Sequence, residues 1–281
     1  MRVRYSFGSR HTGKIENISK QRRKYPDVVS EIIQICDIIL EVLDARFINE
    51  TRNIEFEEQI KGLGKKIIYV LNKCDLADVE AKRIELRKLG LYPYVFVSCR
   101  KRIGGRELRS KVKMEAKRIV LPEDDMKRVQ VGIIGYPNTG KSSLINFLTG
   151  TSAAKVGAEA GFTKGMQRVK LTSEILILDT PGVIPKQEYS SQNQEAITKY
   201  AKVGARDYSK VRNPEQVVNS LMLEYGDAIE KYYSIEAMGD SEKVIEEIGK
   251  RRNFLKKGGI VHEDRAARSI IRDWQDGKIK V

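Results

Sequence analysis

The chain has 281 residues, of which 52 are Lys or Arg and 38 are Asp or Glu, giving a formal net charge of +14. That length supports one sizeable domain and a smaller one, and three cysteines far apart in sequence exclude a disulfide framework and fit a reducing compartment. No uncharged run approaches the ~18 residues of a spanning helix and no signal-peptide core follows Met1, which predicts a soluble cytoplasmic protein, while the basic excess predicts a polyanionic partner.

Arg2 to Lys24 carries many bases, a single acid, Glu16, and few large apolar residues, so residues 1–25 read as a basic amino-terminal arm. From Pro26 onward, helical and β-rich patterns alternate: a helix from Val28 to Cys36, a strand from Ile38 to Leu43 and a strand from Lys65 to Leu71. Short, near-continuous apolar runs of this kind are those of buried parallel strands. Asn72-Lys73-Cys74-Asp75 follows the second of them, at the carboxyl edge of the sheet where ligands bind in such folds. The Asp75 carboxylate can accept from both N1–H and N2–H₂ of guanine, a donor pair that adenine lacks. Asn72 would brace the loop and face the purine edge, and the Lys73 stem would cover a ring face. An Asx-rich turn after a strand has the same local look.

Ala77 to Leu89 reads as an amphipathic helix ended by Gly90, and Tyr94 to Val97 as the next strand. Ser98-Cys99-Arg100 after it can supply a backbone N–H to guanine O6. A helix from Gly104 to Ile119 and a strand from Val129 to Ile134 lead into Gly135-Tyr136-Pro137-Asn138-Thr139-Gly140-Lys141-Ser142, which matches GxxxxGK[ST] and is followed by a helix to Leu148. Gly135, Asn138, Thr139, Gly140, Lys141, Ser142 and Ser143 form the predicted phosphate cradle, at a helix N-terminus suited to anions. Lys141 would reach the β- and γ-phosphates and Ser142 would ligate Mg²⁺. In Gly161-Phe162-Thr163-Lys164-Gly165, Thr163 is the hydroxyl expected to complete the Mg²⁺ shell. Strands at Gln167 to Leu171 and Ile175 to Leu178 precede Asp179-Thr180-Pro181-Gly182, where Asp179 would hold a Mg²⁺-bound water and the Gly182 amide would face the γ-phosphate.

These segments stand in an unusual order. In GTP-binding domains the phosphate loop normally precedes the base-reading motif; here it comes after. The fold class expected is therefore α/β: a circularly permuted Ras-like P-loop domain over residues 26–205, with a mostly parallel sheet and helices on both faces. Beyond about Ala205 the strand signals stop, and apolar residues recur at helical spacing in Val217-Val218-Leu221-Met222 and Val244-Ile245-Ile248. Residues 206–281 read as a small helical domain. Its last helix, Glu263 to Gln275, gathers Ala266, Ile270, Ile271 and Trp274 on one face and Arg265, Arg268 and Arg272 on another, close to Lys256 and Lys257. Those five cations are the candidate rRNA contacts; the alternative is a solvated face paired with Glu263, Asp264 and Asp273.

With Val42-Leu43-Asp44-Ala45-Arg46, Thr51-Arg52-Asn53, Lys155-Val156-Gly157 and Lys257-Gly258-Gly259 followed by Arg265-Ala266-Ala267-Arg268, the chain resembles the circularly permuted GTPases of the YlqF/YawG group, which includes ribosome biogenesis GTPase A and archaeal and eukaryotic relatives; an archaeal member is the expected match. The likeness covers roughly Asp37 to Lys202. It implies hydrolysis of GTP to GDP, Mg²⁺ as cofactor and a ribosomal subunit or precursor particle, of the large subunit, as partner. Asn138 matches an asparagine that in related GTPases helps hold K⁺ beside the β- and γ-phosphates; otherwise it only shapes the turn. Lys141, Thr163, Gly182 and Asn138 are then the candidate catalytic residues. Two departures from that group stand out: the Phe-Pro-Gly-His-Met-like start of bacterial members is missing, with His11 the only histidine near it, and Phe47-Ile48-Asn49 replaces the expected Pro after Asp-Ala-Arg. Separately, Val183 occupies the place where Ras-like enzymes carry a water-orienting glutamine, which predicts slow intrinsic hydrolysis. The permutation also joins Gly182, through Gln192 to Lys202, to the helical region, so a γ-phosphate-dependent change there would pull on it. A competing reading is an RNA-binding scaffold in which GTP is a structural or regulatory ligand.

Overall fold

The computed structural model describes residues 29–120, 128–150, 167–179 and 194–280. Within them, strands β1 (Ile38–Asp44), β2 (Lys66–Asn72), β3 (Tyr94–Phe96), β4 (Val129–Ile134), β5 (Gln167–Lys170) and β6 (Ile175–Asp179) form one sheet in the order β3-β2-β1-β4-β6-β5. Every neighbouring pair is parallel except β5 and β6. All seven residues of β1 are buried, which is why its sequence is almost unbroken Ile, Leu and Val: a central strand covered on both faces has no solvent side on which to alternate.

The covering helices are α1 (residues 29–35), α2 (Ile48–Thr51), α3 (Ile54–Gly62), α4 (Val79–Lys88), α5 (Gly105–Ala116) and α6 (Lys141–Thr149). Ile32, Phe56, Ile60 and Leu86 pack with Ile39, Leu43 and Leu71 on one face of the sheet. Leu108, Val112, Leu144 and Leu148 pack with Leu40, Val42 and Ile133 on the other. Helices on both faces of a mostly parallel sheet are the architecture expected. Asp78 caps α4 by accepting from Glu80 N and Ala81 N, and Asn53 caps α3 by accepting from Phe56 N.

The sheet carries the permutation in its connectivity. β4, which leads into the phosphate loop, lies at the centre between β1 and β6. A chain of the usual order would start at β4 and reach β1 after β6; this one starts at β1, and beyond β6 it leaves the sheet. It continues as α7 (Gln194–Lys202), α8 (Pro214–Tyr233), α9 (Ser241–Arg251) and α10 (Glu263–Gln275).

These last helices share an apolar cluster that includes Tyr200, Val217, Leu221, Ile245, Ile270 and Trp274, together with Phe47 and Tyr136 from the carboxyl edge of the sheet. Phe47, Tyr225 and Trp274 make its aromatic centre, with ring centroids 5.9 Å apart for Phe47 and Trp274 and 4.9 Å for Tyr225 and Trp274. Phe47 stands where the resemblance led to the expectation of Pro, and its ring packs into this cluster. Lys202 closes the seam: its ammonium lies 2.5 Å from Glu224 and 3.3 Å from Glu50, over the Phe47 and Tyr225 rings, and its carbonyl accepts from Trp274 Nε1 at 2.9 Å. Burial would pull that lysine's pKa down, but Glu224, Tyr225 and Glu50 together hold it above its ordinary value. The amino-terminal arm, residues 1–25, lies outside the described residues. Among the described residues no helix is long and apolar enough to cross a membrane.

Candidate functional site

The carboxyl ends of β2, β3 and β4 present three loops to one cavity of about 250 Å³. It is lined by Asn72, Lys73 and Asp75 after β2, by Ser98, Cys99 and Arg100 after β3, and by Asn138, Gly140 and Ser143 after β4. Residues read from sequence as base-reading and as phosphate-reading therefore meet.

Asn72 ties the three loops together. Its Nδ2 donates to Thr139 O at 2.8 Å, and its Oδ1 accepts from Cys99 N at 3.3 Å, so one buried amide spans the base loops and the phosphate loop. Gly140 makes room for it: the backbone has φ +98°, and a Cβ there would collide with the Asn72 amide.

Lys73 turns the chain in a left-handed conformation, φ 63°, and sends its ammonium to Asp44, 2.8 Å away at the end of β1. Asp44 is fully buried and also takes Arg46, through Nη2 at 2.8 Å and Nε at 3.0 Å. Burial alone would raise the Asp44 carboxyl, yet Lys73 and Arg46 drive it well below the usual carboxylate range. Arg46 then donates through Nη1 to Trp274 O at 3.2 Å, joining the base loop to the end of α10. Asp75 itself is half-buried and no group among the described residues holds its carboxylate, which leaves it available to donors in the cavity. Burial, with Asp75 close by, pushes the Cys99 thiol up to about 12, so it stays protonated and unreactive.

Of the amides after β3, Ser98 N–H goes to Ile103 O and Cys99 N–H makes the long bond to Asn72. Ser98 Oγ accepts from Lys101 N at 3.0 Å, which fixes the turn.

In the phosphate loop, α6 begins at Lys141 on Gly140, which offers no side-chain cap, so the first-turn amides and the positive end of the helix point toward the loop. The Lys141 ammonium is buried and donates to Gly135 O at 3.0 Å and Tyr136 O at 2.7 Å. Thr139 Oγ1 donates to Tyr136 O at 2.9 Å. Asn138 has φ 60° and donates through Nδ2 to Gly204 O at 2.7 Å, beyond the end of α7. Asp179 ends β6 opposite Ile133, which brings its backbone beside the start of the phosphate loop. Thr163, Gly182, Val183 and His11 lie outside the described residues.

The candidate RNA cations lie elsewhere. Lys256 and Lys257 are exposed in a turn closed by a bridge between Leu255 and Val261. On α10, Arg265 and Arg272 are exposed, stacked over Phe254 at 4.4 Å and Tyr208 at 5.6 Å. Arg268 is committed: it pairs with both oxygens of Asp264 and donates to Tyr208 O and Ser209 O.

Sequence reasoning did not name Asp44, Arg46, Gln275 or Asp276 as site residues, although Gln275 and Asp276 line the cavity. A carboxylate that ends an apolar strand at the ligand edge is the signal that picked out Asp179, and the same signal marks Asp44.

The family described as 50S ribosome-binding GTPase matches residues 130–233, starting in β4. An uncharacterized GTP-binding protein of Methanocaldococcus jannaschii is 40% identical over 256 residues, 90% of this chain and 65% of its own length. Nucleolar GTP-binding protein 2 of Pneumocystis carinii is 35% identical over 254 residues, 88% of this chain and 51% of its own. The chain thus spans between half and two thirds of the length of these relatives. Among solved structures, GNP-bound YlqF from T. maritima aligns with TM-score 0.64 and 24% identity over 92% of this chain and 95% of that one, which establishes the likeness of fold.

Proposed function

Because the chain belongs to the circularly permuted GTPases of the YlqF group, we propose that it binds GTP, hydrolyses it to GDP and uses that cycle to dock on and leave a ribosomal precursor, by contacts to large-subunit rRNA. The observation that carries this reading is the Asn72 bridge, which holds the guanine-reading and phosphate-reading loops around one cavity. The name of the matched family and that of the nucleolar relative support a ribosomal partner.

Asp75 would accept from guanine N1–H and N2–H₂, an amide of the Ser98–Arg100 turn would meet O6, and the Lys73 stem, pinned at its far end by Asp44, would cover the ring. Adenine in that place would leave the carboxylate unmatched. Lys141, turned from the Gly135 and Tyr136 carbonyls, would neutralise phosphate charge, and the first-turn amides of α6 would bind it. Hard oxygen donors fit Mg²⁺: the Ser142 hydroxyl and the Asp179 carboxylate, with Thr163 as the third, while the Gly182 amide would face the γ-phosphate. Bound there, Mg²⁺ supplies charge neutralisation on the phosphates. For K⁺ the ligand would be the amide oxygen of Asn138, the side chain whose Nδ2 donates to Gly204 O. Val183 cannot orient water, so turnover would be slow until the ribosomal particle assists. A reducing, cytoplasmic setting suits three free thiols.

Lys256, Lys257, Arg265 and Arg272 are the cations best placed for rRNA phosphates, with Arg268 acting by fixing α10 on the Tyr208–Lys210 turn. The test is cosedimentation with ribosomal subunits in GDP and in a non-hydrolysable GTP analogue, alongside GTP turnover with and without subunits. Binding to the large subunit should follow the triphosphate form and turnover should rise with subunits. Equal cosedimentation in both nucleotides with unchanged turnover would favour the scaffold reading. Nucleotide competition tests the base assignment: Asp75→Asn should weaken GTP at least about tenfold and favour xanthine nucleotide. ATP competing as well as GTP against the native protein would overturn it.

A further inference from the structure

The nucleotide cavity has a wall that comes from the far end of the chain. Gln275 and Asp276, at the carboxyl end of α10, line it together with the base-reading and phosphate loops. Their position is fixed from three sides. Arg46 holds Trp274 O from the buried Asp44 cluster. Gln275 Nε2 donates to Ala201 O at 2.8 Å and to Arg206 O at 2.9 Å. Gly277, at φ +68°, lies so close to Leu76 of the base loop that a Cβ would overlap that side chain.

The chemistry of this wall is that of an acceptor. The carboxyl end of a helix carries partial negative charge, and Asp276 adds a carboxylate, half-exposed and steadied at a distance by Arg272 at 3.7 Å and Lys278 at 3.9 Å. Gln275 spends both amide hydrogens on Ala201 and Arg206, so the atom it can offer is its oxygen. Such a wall repels phosphate and attracts hydroxyl or N–H donors. A guanosine nucleotide has two groups of donors: N1–H and N2–H₂ on the base, which are assigned to Asp75, and the ribose 2′- and 3′-hydroxyls. The hydroxyls lie between base and phosphates, as Gln275 and Asp276 share a cavity with the loops that would take each.

From this geometry, and resting on the guanine-nucleotide reading of the cavity, we propose that Asp276, with Gln275 beside it, is the ribose-binding edge of the site, so that the last helix of the chain contributes directly to nucleotide affinity. The probes are GDP, 2′,3′-dideoxy-GDP and ADP, titrated calorimetrically into the native full chain and into Asp276→Ala. Asp276 is exposed and the substitution removes no core contact. The native protein should bind GDP about tenfold more tightly than the dideoxy analogue, and Asp276→Ala should bind the two equally, while both proteins keep their preference for GDP over ADP. A native protein indifferent to the hydroxyls, or a variant that keeps the native preference for them, overturns the ribose assignment and leaves the base-reading one standing. Loss of the GDP over ADP preference in the native protein overturns both.

Discussion

Strand β1 buries two carboxylates three residues apart, on opposite faces, and the surroundings of the two are opposite as well. In the middle of the strand, Glu41 faces α3. One oxygen accepts from Asn53 N at 2.9 Å, the other has no hydrogen-bond partner among the described residues, and Glu57 brings a second acid nearby. Burial first, and Glu57 next, push its pKa up to about 8. At the carboxyl end, Asp44 is as deeply buried but receives Lys73 and Arg46, and it is held well below the ordinary range. Equal burial therefore does not set protonation; the count of cations within reach does. At the charged end the cluster holds a loop and a helix beside the cavity. The neutral middle belongs to the core.

The sharpest way to break that contrast is to remove the Asp44 charge. Asp44→Asn leaves Lys73 and Arg46 facing a neutral amide in a buried site, and stripping one partner from such a pair costs about 3–5 kcal/mol. The urea midpoint should fall accordingly. Because Lys73 and Arg46 then lose their common anchor, the base loop and the end of α10 should loosen together, with GDP affinity falling well beyond what the stability loss explains. A variant as stable as the native chain would mean that the two cations bridge to solvent and that the cluster does not organise the site.

How much of this was legible in the sequence depends on how far apart the cooperating residues lie. Gly135 to Ser142 and Asn72 to Asp75 are short motifs whose strand context is local, and the cavity gathers residues from both. The strands were legible as apolar runs, since burial on both faces writes itself into consecutive residues. Helix α3 was not: it is rich in Glu and touches the core mainly through Phe56 and Ile60. Nor was the Asp44–Lys73 pair, which depends on β1 and β2 lying parallel with Asp44 opposite Asn72. Gln275 and Asp276 reach the cavity only because Trp274 is packed on Phe47 and tied to Arg46, a tertiary arrangement with no periodic signature. Thr163, Gly182 and Val183 lie outside the described residues and keep their places as expectations from the motif pattern.

Glu41 sharpens the comparison through pH. A carboxyl whose pKa rises from 4.5 unfolded to about 8 folded binds its proton more tightly in the native state, so stability is greatest below 4.5 and falls as pH climbs toward 8. The slope from this group is at most about 1.4 kcal/mol per pH unit. Glu41→Gln keeps the acceptor for Asn53 N and removes the ionisation. Thermal midpoints of the native chain should decline between pH 6 and 9, and the variant should be flatter and the more stable of the two at pH 8.5. Parallel curves would show that Glu41 is ionised in the fold, as Asp44 is.

The smallest effect expected separates charge from contact at Lys73. Lys73→Met retains an unbranched apolar stem able to cover a purine ring but deletes the ammonium 2.8 Å from Asp44. Arg46 still pairs with Asp44 through two nitrogens, so the carboxylate keeps a strong partner and the fold should lose only about 1 kcal/mol. If the ammonium serves to pin the stem, GDP affinity should drop about tenfold while the preference for GDP over ADP, which belongs to Asp75, remains. Native affinity in this variant would assign the loop's rigidity to Asn72 and its bonds to Thr139 and Cys99, and would reduce the Asp44 cluster to a clamp on α10 alone.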